Sequence, residues 1–261
     1  MSNLADHSSG DFVKLLFVGN SGSGKTGALV SLVKAGYKLR IIDMDNGLDA
    51  MVNFIRAECP DQIGNVQYET LRDKYKAGPT GSKVSGSPKA YIRANNLLDK
   101  WTDDTKPEEW GSDTILVIDS LTHFGRAAFA WARGLNPNSR DPRQWYKVAQ
   151  DSIMDILDTV TGNIFQTNVI VITHIDYREN ANGFRKGFAS SVGKAIGDKI
   201  PSFFNTMLLA ESMVMGKTSK RTIKTIATTE LDLKNPAPMK IDATYPLETG
   251  MADIFEKLKG N

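Results

Sequence analysis

The 261-residue sequence predicts an α/β fold in which helices flank a largely parallel, twisted sheet that carries extra strands at its C-terminal edge. Three observations predict it. Short apolar runs bounded by turns, Val13 to Val18, Leu39 to Ile42, Ile115 to Ile118 and Val169 to Thr173, have the look of strands buried on both faces. Helical patterns stand between them, from Gly24 to Lys34, Pro88 to Trp101, Leu121 to Arg133 and Pro142 to Val160, an alternation expected of parallel strands joined by crossover helices. Directly after the first run comes Gly19-Asn20-Ser21-Gly22-Ser23-Gly24-Lys25-Thr26, a glycine-rich strand-to-helix turn.

That turn has the pattern of a phosphate-binding loop. Glycines let several backbone N–H groups face inward around an anion, and the following helix adds its positive end. Gly19, Asn20, Ser21, Gly22, Ser23, Gly24, Lys25, Thr26 and Gly27 are therefore the expected nucleotide-binding residues, with Lys25 on the terminal phosphates and Thr26 on Mg²⁺. The second strand ends Ile41-Ile42-Asp43-Met44-Asp45, which brings two carboxylates to the same sheet edge, one of which can orient or deprotonate an attacking water. The third, Ile115-Leu116-Val117-Ile118-Asp119-Ser120, ends in the acid expected as the second Mg²⁺ anchor, although Asp119 capping the next helix is the plainer alternative.

Beyond Pro201 the pattern becomes strand-like at Phe203 to Ala210, Thr222 to Thr228 and Lys240 to Ala243, and a short helix from Met251 to Leu258 closes the chain. Residues 1–11 are expected to be a disordered tail and residues 12–261 a single domain. No run approaches the roughly 18 apolar residues that cross a bilayer, and the polar start lacks a signal peptide, so a soluble cytoplasmic protein without membrane association is expected. Cys59 is the only cysteine, which excludes an intramolecular disulfide and a cysteine-rich zinc site. A net charge of +2 neither demands nor excludes nucleic acid, so local charge decides. Two stretches carry it. One is a basic loop from Arg72 to Lys89; the other, Asp176 to Val192, contains Arg178, Phe184, Arg185, Lys186 and Phe188, cations for phosphates with aromatics for base stacking. Arg126, Arg133, Arg140 and Arg143 are secondary candidates, and the four tryptophans are expected to be packing residues.

Taken together, these segments resemble the RecA-type ATPases over roughly residues 12–212. Ile42-Asp43-Met44-Asp45-Asn46-Gly47-Leu48-Asp49 is similar to the segment after their second strand, where the position of Asp45 is the catalytic one. Ile115 to Ser120 resembles their Walker B strand, and Val171-Ile172-Thr173-His174 the strand whose last polar residue senses the γ-phosphate. The resemblance makes Asp176 to Val192 the second DNA-binding loop and Gly193-Lys194-Ala195-Ile196 the small helix after it, with Lys194 and Lys199 placed to reach a neighbouring subunit's γ-phosphate. Within the superfamily the chain looks most like phage RecA-core ATPases, some of which anneal single strands.

What the resemblance implies is an ATP- and Mg²⁺-dependent ATPase that binds single-stranded DNA for annealing or recombination. It would act as a homo-oligomer, ring or filament, alongside a single-strand binding protein or replication proteins, in the host cytoplasm if phage-encoded. An ATP-regulated helicase-loading protein and a P-loop small-molecule kinase are the alternatives. The sequence departs from the pattern at three places. Asp45 is one methylene shorter than the family's glutamate, which sets its carboxylate about 1 to 1.5 Å back, a displacement that can cost about a hundredfold in rate. His174 stands where glutamine is usual, and the short polar N-terminus is not expected to supply the oligomerisation elements of full recombinases.

Overall fold

A computed structural model describes residues 11–79, 81–139, 141–179, 181–216 and 218–259. In chain order its elements are β1 (Lys14–Gly19), α1 (Lys25–Ala28), α2 (Val30–Lys34), β2 (Lys38–Asp43), α3 (Asp49–Glu58), β3 (Val66–Thr70), β4 (Tyr75–Lys76), β5 (Lys83–Val84) and α4 (Ala90–Asp99). There follow β6 (Gly111–Asp119), α5 (Leu121–Leu135), α6 (Pro142–Thr161), β7 (Thr167–Thr173), β8 (Ile175–Glu179), β9 (Arg185–Ala189), β10 (Thr206–Met215), β11 (Thr218–Lys224), β12 (Thr244–Pro246) and α7 (Leu247–Lys259).

Eight strands form one sheet in the order β12-β11-β10-β1-β7-β6-β2-β3. From β10 to β3 every pairing is parallel, and only β11 and β12 join antiparallel. This is the α/β architecture that the sequence led us to expect, a largely parallel sheet flanked by helices with extra strands from the C-terminal part of the chain. Strand side chains alternate between two cores, as the two-residue period requires. Leu16, Val18, Leu116, Ile118, Val169 and Val171 pack under α4, α5 and α6. Leu15, Phe17, Ile115, Val117, Ile170 and Ile172 pack under α1, α2, α3 and α7. The apolar runs are continuous because both of their faces are covered.

Local signals set the helix starts. Asp141 caps α6 by accepting from Arg143 N at 3.0 Å, and Pro142 occupies the first turn, where its missing N–H costs nothing. At the amino end of β1, Lys14 Nζ donates to Val160 O at 3.0 Å, Phe165 O at 2.6 Å and Thr167 O at 2.8 Å, which ties the strand to the end of α6. Trp101 is buried, and Trp110, Trp131 and Trp145 pack against the same core.

Several expectations need correction. Phe203 to Ala210 is not an edge strand: β10 lies inside the sheet beside β1. Lys240 to Ala243 is a turn and the edge strand starts at Thr244, because that segment's apolar Ile241 fills the core rather than lining a ladder. Asp176 to Val192 is a β-hairpin, β8 with β9, rather than a loop, and Arg72 to Lys89 contains the smaller β4–β5 hairpin. The helix expected at residues 193–196 is a turn leading into a 3₁₀ helix, Ile200–Phe203. Residues 1–10 of the expected tail and Arg140 lie outside the described residues.

Candidate active site

Four adjacent strands, β1, β7, β6 and β2, run parallel, and their carboxyl ends deliver the site. The phosphate-loop sequence leaves β1 in a turn held by Ser23 N to Asn20 O at 3.2 Å. Gly22 and Gly24 have φ of +77° and +94°, a region that costs other residues strain. A Cβ on Gly19 would lie 2.6 Å from both Ala210 O and Ser23 Oγ, so only glycine fits beneath the loop. The expected helix from Gly24 to Lys34 is two short pieces, α1 and α2, joined through Leu29, which itself keeps helical torsions.

Lys25 is 6% exposed and donates to Gly19 O and Asn20 O, both at 2.9 Å. Burial pushes it down to about 8 against the opposing pull of Asp119 and Asp45. Thr26 Oγ1 donates to Asp119 Oδ2 at 2.6 Å. Asp119 is raised to about 6, first by burial, with Thr26 and Lys25 opposing and the carboxylates of Asp45 and Asp43 adding to the rise. A hydroxyl and a carboxylate in contact beneath a glycine loop fit the hard oxygen ligands of Mg²⁺. Ser23 Oγ, buried in the same loop without a hydrogen-bond partner among the described residues, fits an anion that would use it. The residues present therefore suit a nucleoside triphosphate with its magnesium ion.

The two carboxylates at and just past the end of β2 divide the work. Asp43 is buried and spends its side chain on the chain turn, accepting from Asp45 N at 3.1 Å, Asn46 N at 2.7 Å and Thr70 Oγ1 at 2.8 Å. Asp45, released into the site, accepts from Ser120 Oγ at 2.7 Å and lies 2.6 Å from His123 Nδ1. Burial pushes Asp45 up, but the hydrogen bonds of His123 and Ser120 and the nearby histidine charges win and hold it below its ordinary value. His174 follows β7, its ring T-shaped to His123 with centroids 6.1 Å apart. Burial and then Lys25 lower His174, with Asp45 opposing, so the neutral imidazole is favoured. The peptide bond between Asp119 and Ser120 is cis.

Sequence reasoning missed His123 and Ser120. The signal was available: Ser120 caps α5, and the third residue of a helix lies back over its cap, which places His123 beside whatever sits there. Arg221 of β11 was missed as well. Its Cδ lies 3.3 Å from where a Cβ on Gly24 would stand, and only strand pairing across the sheet brings it there.

Thr173 Oγ1 lies 3.0 Å from Thr122 Oγ1 and also donates to Ser190 O, while Thr122 Oγ1 accepts from His174 N at 3.1 Å. Ser190 N closes the circuit on His174 O at 2.9 Å. The β8–β9 hairpin is thus rooted on the residue that ends β7. Just past it the chain presses on α5: a Cβ on Gly125 would lie 2.7 Å from Val192 N and from Ser191 Oγ.

Of the residues expected to meet DNA, Arg178 pairs with Asp176 at 3.0 Å and covers the Phe188 ring, 4.3 Å from its centroid. Arg185 lies 3.7 Å from Glu230 and over Tyr177, and Lys186 pairs with Asp232 at 2.7 Å. Phe184 is 73% exposed near the hairpin tip. These groups line a cleft of about 360 Å³ together with Thr229 and Leu231. Lys194 is exposed on a turn above α6 and makes no hydrogen bond or ion pair among the described residues. Of the secondary candidates, Arg143 pairs with Asp141 at 2.9 Å, Arg133 covers Trp145, and Arg126 lines a cleft with Arg72 and Tyr75. Among the described residues no helix is long and apolar enough to cross a membrane.

No curated protein matches the sequence. Among solved structures the chain is similar to the RadB recombinase, at 16% identity and TM-score 0.48, over 92% of this chain and 89% of that one. A KaiC-like protein of Pyrococcus horikoshii OT3 is similar at 11% identity and TM-score 0.41, over 82% and 79%. The flagellar accessory protein FlaH of Methanocaldococcus jannaschii is similar at 9% identity and TM-score 0.43, over 92% and 88%. Residues 11–237 match the model of the AAA domain, and the chain belongs to that family.

Proposed function

We propose that this protein hydrolyses ATP with Mg²⁺ at the loop after β1 and uses the bound nucleotide to set how the β8–β9 hairpin holds single-stranded DNA, for annealing or recombination, in an oligomer. One observation carries the reading: Lys25, Thr26, Asp119, Asp45 and His174 converge at the carboxyl ends of four neighbouring strands, and the last of them is the root of the hairpin.

Lys25 leaves the carbonyls of Gly19 and Asn20 for the terminal phosphates, an exchange of two neutral acceptors for an anion. Thr26 and Asp119 would hold Mg²⁺, which when bound would supply positive charge against that developing on the phosphates. Asp45, kept ionised by Ser120 and His123, accepts a proton from the attacking water or orients it. His174 donates a ring N–H toward the γ-phosphate. Its backbone shares hydrogen bonds with Thr122 and Ser190, so a change in its ring position is felt at the base of β9. Lys194, exposed and without an ion pair among the described residues, is available to a neighbouring subunit's nucleotide.

A second reading, an ATP-regulated protein-interaction module of the helicase-loading kind, draws on one observation. Arg178, Arg185 and Lys186 each already face a carboxylate, so DNA must displace Asp176, Glu230 and Asp232 to use them. ATPase rate and oligomer size, measured with and without saturating single-stranded DNA, separate the two. Stimulation or assembly supports the DNA reading, and no change in either abandons it.

A further inference from the structure

Two of the chain's three histidines, His123 and His174, meet at Asp45. One ligand atom from each of the three side chains lies within 4.8 Å of the other two. Among the described residues no other group of three or more His, Cys, Asp or Glu side chains does this.

The three come from separate elements, each pinned by its backbone. Asp45 N donates to Asp43 Oδ1 at 3.1 Å, His123 N to Ser120 Oγ at 3.5 Å and His174 N to Thr122 Oγ1 at 3.1 Å. Asp45 uses Oδ1 for both Ser120 and His123, which leaves Oδ2 without a hydrogen bond among the described residues. A tetrahedral ion bonded at about 2.0–2.2 Å needs ligand atoms about 3.4 Å apart, so the widest pair closes by little more than an ångström, within reach of side-chain rotation. All three side chains are half-buried, open enough for an ion to enter and enclosed enough to lose competing water.

Donor chemistry separates this cluster from the Mg²⁺ position. Thr26 and Asp119 offer oxygens alone, which suits a hard ion, whereas two imidazoles and one carboxylate suit a late first-row ion with open positions left over. We infer that Asp45, His123 and His174 form a second cation site that binds a divalent transition ion such as Zn²⁺, and that its occupancy arrests hydrolysis. The ion takes the Asp45 carboxylate from the water and the His174 ring from the phosphate. Binding stands independently of the ATPase reading; only the arrest rests on it.

The test titrates Zn²⁺ alone into the nucleotide-free protein by calorimetry, and Co²⁺ in parallel with visible absorption as a report of its coordination. One ion per chain is expected, in millimolar Mg²⁺ as well as without it. His123→Gln, which can still hydrogen-bond Asp45, and His174→Gln should each weaken Zn²⁺ by roughly 100-fold or more, since losing a ligand exceeds the 10–100-fold cost of losing an outer partner. ATP binding by both variants confirms that they fold. In a second arm, stoichiometric Zn²⁺ should stop wild-type turnover, while the turnover that His123→Gln retains should resist it. Zn²⁺ affinity unchanged in both variants, or abolished by Mg²⁺, overturns the site. Binding as expected with wild-type turnover untouched overturns the arrest alone. A protein without ATPase activity that still binds Zn²⁺ through both histidines leaves the site standing and removes the proposed function.

Discussion

β1 has a lysine near each end, and the two are put to opposite uses. Lys14 has three N–H groups and gives each of them a carbonyl, from Val160, Phe165 and Thr167, with the Phe165 ring also beneath it. Burial pushes Lys14 down to about 7. Lys25 places two N–H groups on its own loop and keeps a third, with the negative charges of Asp119 and Asp45 close by. A saturated lysine is a fastener; an unsaturated one beside carboxylates and an unpaired Ser23 hydroxyl is set for an incoming anion. The difference lies in hydrogen-bond accounting, not in burial.

The comparison breaks most visibly at Lys25. Lys25→Ala should lower turnover by about 10²–10³-fold, as loss of one donor to a transferring phosphate does, and leave the melting temperature unchanged or higher because a desolvated cation is gone. Steady-state ATPase and thermal melts check both; turnover within tenfold of wild type would refute the assignment. Asp119→Asn should lose Mg²⁺-dependent turnover and stabilise the nucleotide-free protein. With a folded value of about 6 against 3.8, the unfolded state releases the proton between about pH 4 and 6 while the folded state keeps it. Wild-type stability therefore falls as pH rises through that window, by about 3 kcal/mol at about 1.36 kcal/mol per unit, and stays lower above it. Denaturant midpoints at pH 4.5 and 7.5 should lack that fall in the variant.

At the other end of the strand, Lys14→Met should cost about 2 kcal/mol by orphaning carbonyls, with the KM for ATP unchanged. A shift in KM without loss of stability would erase the distinction between the two lysines. The smallest effect belongs to Lys186→Ala, which removes an exposed pair with Asp232 and should change stability by less than about 1 kcal/mol. Filter binding of a single-stranded oligonucleotide at two salt concentrations tests its other role. Weaker binding with a shallower salt slope supports phosphate contact, and an unchanged slope places Lys186 outside the interface.

What was legible in the sequence follows from range. Buried parallel strands announce themselves as apolar runs, and the glycine pattern of residues 19–26 is contiguous, so the sheet and its phosphate loop could be read directly. The strand-end polar residues Asp45, Asp119 and His174 were legible once the strands were placed. β3 was not, because its exposed Gln67 and Tyr68 at the sheet edge interrupt the apolar signal. The β8–β9 hairpin was mistaken for a loop, since Arg178, Arg185 and Lys186 owe their ordered positions to Asp176, Glu230 and Asp232, two of them more than 40 residues away. Nor could residue types alone say which of Asp43 and Asp45 faces the site. Thr70, 27 residues on, engages Asp43 and leaves Asp45 for Ser120 and His123.

Gly125 marks where α5 and the chain beyond the hairpin touch backbone to backbone. Close packing leaves no room there for a side chain, since a Cβ at position 125 would lie 2.7 Å from Val192 N. The base of the hairpin is thus held on three sides: by the bonds of His174 to Thr122 and Ser190, by Gly187 N donating to Glu230 O at 2.7 Å, and by this seam. A methyl group at position 125 would push the returning chain off α5 and so disturb the hairpin from its base rather than from its tip.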